Sequence, residues 1–99
     1  MEDNLIIRYR IHTEHVSPAI VSRHFDGFSI LPNVRGFYKG KAENAVIVEI
    51  LGTVDDGAKV RTLASEIREQ YRQAEVWITT EEVSLTRVTI DATKEGLEA

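Results

Sequence analysis

The sequence contains no cysteine. Disulfides, thiolate metal sites and cysteine nucleophiles are therefore excluded, and a cytoplasmic setting is the expectation. No apolar run approaches the roughly 20 residues that span a bilayer, so no membrane helix is expected. Basic residues are not in excess: the net charge is −4. Affinity for nucleic acid comes largely from neutralised phosphates, so an acidic chain is a poor general binder of it. There is no G-x-S-x-G elbow, no phosphate-binding glycine loop and no H-E-x-x-H. An enzyme is thus the weaker expectation, and no cofactor is expected.

What remains is an ordinary globular composition, 42% hydrophobic and 28% charged over 99 residues. That length suits one domain. The charge is uneven. Residues 1–43 hold six Lys/Arg against five Asp/Glu and all three histidines; residues 44–99 hold six against eleven. A basic pocket for an anion would be built mostly from the first half.

The N-terminal stretch MEDNLIIRYRI starts acidic and then alternates, unlike a signal or transit peptide. Over Asn4 to Thr13 one side carries Leu5, Ile7, Tyr9 and Ile11, the other Ile6, Arg8, Arg10 and His12. Period two predicts a half-buried strand. Ser17-Pro18 opens a short helix to about Phe25, because serine can accept from a free amide and proline at the first helical position loses no bond. Phe25 to Leu51 then reads as a β-hairpin. One strand runs from Phe28 to Lys39, interrupted at Pro32-Asn33; a long turn occupies Gly40 to Asn44. The nearly all-apolar strand Ala45 to Leu51 should lie centrally in a sheet. Val60, Leu63, Ala64, Ile67 and Tyr71 share one face of a helix from about Asp56 to Arg72. Val76 to Thr80 is a fourth strand. After a break at Glu81-Glu82, Val83 to Ile90 reads as an extra one. Residues 91–99, DATKEGLEA, lack a core face and are expected to form a flexible tail after a single domain over 1–90.

Strand, helix, strand, strand, helix, strand is the order of two interleaved right-handed crossovers. The expected fold is α+β, ferredoxin-like βαββαβ: an antiparallel sheet with both helices on one face and an extra C-terminal strand. A bare sheet face is usually covered by a second copy, so a homo-oligomer is expected.

Phe25-Asp26-Gly27-Phe28-Ser29-Ile30-Leu31, Gly36-Phe37-Tyr38 and Glu43, with Ile67, Arg68, Tyr71, Gln73 and Val76, resemble a family of small bacterial and phage domains. The resemblance covers about residues 24–78. It implies a ferredoxin-like fold and brings no activity with it. Small phage accessory proteins often inhibit a host protein or sequester a nucleotide messenger, so it also implies those two roles.

Three candidate sites follow. Arg8, Arg10, Arg35 and Lys39, with Tyr38, could bind an anionic, nucleotide-like ligand between subunits, since guanidinium forks match phosphate oxygens and rings stack on bases. Against this stands a solvated face, or pairing with Glu43 and Glu49. His12, His15 and His24, with Glu14 and Asp26, have metal-ligand chemistry and could serve a histidine-based hydrolase, against three unrelated histidines. An acidic second half (Glu66, Glu69, Glu75, Glu81, Glu82) could dock a host protein. Arg35-Gly36-Phe37-Tyr38 matches only the start of an RNA-recognition signature.

Overall fold

The computed structural model describes residues 2–90. Met1 and the expected tail over 91–99 lie outside the described residues. The elements are β1 (Glu2–Thr13), α1 (Pro18–Ser22), β2 (Ser29–Tyr38), β3 (Lys41–Gly52), a 3-10 turn (Val54–Asp56), α2 (Gly57–Gln70) and β4 (Trp77–Arg87). The sheet is wholly antiparallel, in the order β2-β3-β1-β4. This is the ferredoxin-like arrangement, with β3 and β1 central as their apolar patterns require.

One sheet face carries the core. Tyr9 and Ile11 of β1 and Val48 and Ile50 of β3 pack under Ile20, Val21 and Phe25 and under Val60, Leu63, Ala64 and Ile67 of α2. The 3.6-residue repeat of α2 thus meets the two-residue repeat of the strands. Burying a side chain such as Leu63 contributes about 1.5–3 kcal/mol. Ser17 caps α1 by accepting from the Ala19 N–H at 3.3 Å. The α-helix ends at Ser22, short of the expected Phe25. Phe25 instead enters the core through a turn held by its N–H to the Val21 carbonyl, 3.0 Å. Asp56 precedes α2 and accepts from the Thr53 N–H at 2.9 Å.

Two expectations are corrected. The β2–β3 turn is tight, with Tyr38 paired to Lys41 across Lys39 and Gly40, whose φ values are 51° and 79°. Positive φ at both positions gives the turn whose twist matches the flanking strands. The separate strand after Glu81-Glu82 is the continuation of β4, which pairs with β1 without interruption from Trp77 to Arg87. The break at Pro32-Asn33 is a bulge: Leu31 pairs with Ile47 and Val34 with Ala45, so β2 uses one residue more than β3.

The register leaves two ribbons outside the four-stranded centre. Lys41–Ala45 of β3 pairs only with β2, past the end of β1 at Thr13. Glu2–Ile6 of β1 pairs only with β4, past the end of β3 at Gly52. The molecule is accordingly elongated, 55 × 28 × 25 Å.

Candidate functional site

The face of the sheet away from the helices has no covering element among the described residues. Alternation along β1 puts Arg8, Arg10 and His12 there, because Tyr9 and Ile11 face the core. Antiparallel register then fixes their flanks. Arg8 lies between Leu51 and Glu81, Arg10 between Glu49 and Thr79, and His12 between Ile47 and Trp77.

Each arginine takes one acidic neighbour. Arg8 Nη2 donates to Glu81 Oε1, a contact that raises the arginine's pKa more than burial lowers it. Arg10 Nε donates to Glu49 Oε1 at 2.8 Å. The Arg8 pair leaves something over. Arg8 Nε–H is buried and has no hydrogen-bond acceptor among the described residues. An unmade bond on a buried donor costs about 1–3 kcal/mol. His12 Nε2 shares a hydrogen bond with Thr79 Oγ1 at 3.1 Å. Its pKa is lowered, first by burial and then by Arg10. Around this polar row lie Leu51, 49% exposed, Trp77, 62% exposed, and half-buried Ile6, Leu31, Ile47 and Val83.

The other expected anion ligands are elsewhere in the protomer. β3 separates β2 from β1, and Arg35 pairs with Asn44 in the outer ribbon. By register Arg35 faces the opposite side from Arg10, while Tyr38 faces the same side and Lys39 occupies the turn. Arg35 stacks over Phe37 at 5.9 Å and Lys39 over Tyr38 at 5.5 Å, making a cationic, aromatic hairpin tip. The structure therefore joins Arg8 with Arg10, and keeps Arg35, Tyr38 and Lys39 apart from them.

The histidines do not converge. His12 is on the open face, His15 lies 5.8 Å from the Tyr71 ring, and His24 meets Glu66 at 2.8 Å. Among the described residues no group of three His, Asp or Glu side chains is placed to hold a metal. The acidic docking set is likewise divided, because Glu66 holds His24 and Arg23 while Glu81 holds Arg8. Of the two acidic partners the sequence offers, Glu49 takes Arg10, while Glu43 lies opposite Gly36 in the outer ribbon, and Glu81 is not among them. No local signal could have found it, since that contact depends on β4 lying beside β1, 73 residues later.

No family model matches the chain, and no curated protein does. Solved structures do. CPII, a nitrogen regulatory PII-like protein from Thiomonas intermedia K12, matches in a structure bound to ADP, AMP and bicarbonate. The TM-score is 0.59 at 13% identity, covering 89% of this chain and 100% of that one. The likeness is one of fold. A second CPII structure, bound to ADP and bicarbonate, gives a TM-score of 0.58 at 10% identity, with 87% and 93% covered. The ferredoxin-like fold that the chain shares with CPII thus extends over most of its length.

Proposed function

We propose that this chain is a non-enzymatic binding protein that holds an anionic, nucleotide-like ligand at the open face of its sheet, as a homo-oligomer. The observation that carries the reading is Arg8, a half-buried guanidinium with one N–H committed to Glu81 and its Nε–H unmatched. The part of the guanidinium that solvent reaches, 29% of the side chain, suits a phosphate or carboxylate oxygen. Two further points support it. The ADP- and AMP-bound CPII has the same fold, and the open face mixes this polar row with exposed Leu51 and Trp77.

In this reading Arg8 and Arg10 take the charged part of the ligand. Arg35, Tyr38 and Lys39 belong to the site only through a neighbouring protomer, whose hairpin tip would bring two cations and a ring for stacking. The carboxylates of Glu49 and Glu81 hold the guanidinium groups flat on the sheet and set a limit on how much anionic charge the face accepts.

Thermal-shift titration with ADP and AMP tests it. Ligand at 100 times its dissociation constant stabilises the folded state by about 2.7 kcal/mol, a shift on the order of 10–20 °C for a chain of this size. The expected result is a shift with either nucleotide that is lost in Arg8→Lys, which keeps the charge and lacks Nε–H. No shift, together with no nucleotide co-purifying by native mass spectrometry, would overturn the proposal.

A further inference from the structure

A second cleft lies on the other side of the sheet, beside the first turn of α2. It is open to solvent, offers about 280 Å³, and is lined by Ile7, Tyr9, Val54, Gly57, Arg61 and Glu82, with Thr80 and Glu81 along one side. Register explains its walls. Ile7 pairs with Glu82 and Tyr9 with Thr80, so these four side chains share the helix-facing side of β1 and β4. Here the core ends. Tyr9 is 4% exposed and donates its hydroxyl to the Thr53 carbonyl, whereas Glu82 and Arg61 stand at the rim.

Two features make this more than a surface dimple. First, Gly57 brings the floor close to both polar side chains: a methyl group placed on it would sit in ordinary contact with Tyr9 Oη at 3.6 Å and Arg61 Nη1 at 3.8 Å. The Arg61 guanidinium is thus folded back over the first helical turn, against the cleft floor. Second, Arg61 and Glu82 make no ion pair with each other or with any other group among the described residues. Of the other polar groups that line the cleft, Tyr9 is already satisfied, and Thr80 is uncharged. Glu81, which also lines the cleft, is held by Arg8, so the cleft presents one unpaired cation, Arg61, one unpaired anion, Glu82, and apolar walls from Ile7 and Val54, the latter 77% exposed.

We infer that this cleft binds a zwitterionic small molecule, an apolar α-amino acid, with its carboxylate on Arg61, its ammonium on Glu82 and its side chain against Ile7 and Val54. A carboxylate suits the guanidinium fork and an ammonium suits a carboxylate. Each charge of the ligand meets the opposite charge, so neither protein group is left unpaired when the cleft is covered. The volume is at the small end for ligand sites, which favours a molecule of amino-acid size over a nucleotide. The inference does not depend on ligand binding at the Arg8 face.

Isothermal titration of the full chain with L-leucine, L-valine and L-methionine tests it. L-leucinamide, which lacks the carboxylate, and 4-methylpentanoate, which lacks the ammonium, serve as controls. At least one of the three amino acids should bind saturably, and Arg61→Gln and Glu82→Gln should each weaken it by about tenfold or more. Both side chains are exposed, so the variants should keep the parent's melting profile. Three outcomes would overturn the inference: no saturable heat with any of the three at about 10 mM, leucinamide or 4-methylpentanoate binding as well as leucine, or unchanged affinity in both variants.

Discussion

At the scale of single residues, the strongest polar device is Gln73. It is 7% exposed and closes the gap between the end of β1 and the loop before β4. Its amide donates to Thr13 Oγ1 at 2.7 Å and its oxygen accepts from the Glu14 N–H at 2.9 Å, while the Thr13 hydroxyl turns to the His15 carbonyl at 3.0 Å. Gln73→Leu would leave the part-buried Glu14 N–H and the buried Thr13 oxygen unmatched, a loss of about 1–3 kcal/mol. A denaturant titration should show a lower midpoint with an unchanged slope; an unchanged midpoint would mean that water replaces the amide. His12 makes a prediction about pH. Its pKa in the fold lies below the ordinary 6.5, through burial and then Arg10. The unfolded chain therefore takes up the proton first. The stability that goes with neutral His12 is complete above about pH 6.5 and declines as the pH falls toward the folded value. His12→Gln should flatten the stability profile between about pH 7 and pH 5. Equal slopes in variant and parent would contradict this.

At the scale of elements, the β2–β3 turn is the most sensitive joint. Gly40 has φ 79° and no atom within 4 Å of where a methyl would sit, so the cost of Gly40→Ala is backbone cost alone, about 1 kcal/mol. A melting comparison should show a modest loss with no change of fold, and a neutral result would show that the ribbon frays without consequence. The same joint shows what the sequence can and cannot announce. Gly40 is visible as a turn residue, but Lys39 at φ 51° is not, because a lysine rarely takes that conformation; the loop therefore reads as longer than it is. Strand β1 and helix α2 are legible apart from their ends, since Tyr9, Ile11, Leu63 and Ile67 repeat with the period of the element that buries them, while Leu5, in phase with them, lies past the core and is 71% exposed. The outer half of β4 is not. Beyond the helices Ser84 and Thr86 have no core to meet, and the apolar residues Val83 and Leu85 fall on the opposite face, so the phase of the alternation inverts and Glu81-Glu82 looks like an end. The anion candidates divide by the same rule. Arg8 and Arg10 are tied by local alternation, whereas Arg35 and Lys39 depend on which strand stands between, and only the strand order decides that.

At the scale of the whole molecule, the sheet is finished on one side only. The helices cover the core face, and the described residues put nothing over Leu51, Trp77 and the arginine row. The two ribbons extend past the centre at opposite ends. A two-stranded ribbon is marginal in water without packing, so both gain from a neighbour. A second protomer laid on the open face would bury that apolar surface and give the hairpin tip a place to reach, which is how the proposed site would be completed. The helix-side cleft, by contrast, is whole within one chain. Assembly and amino-acid binding should therefore respond independently to substitution: Leu51→Glu is expected to break the oligomer and leave the Arg61–Glu82 cleft intact. The direct measurement is the solution mass of the parent and of Leu51→Glu by size-exclusion chromatography with light scattering, at micromolar concentration, with and without ADP. The parent should run as an integral multiple, two or more, of 11.2 kDa, and the variant should fall to the single-chain mass and lose its ADP response. A parent that stays at 11.2 kDa in both conditions would contradict the account.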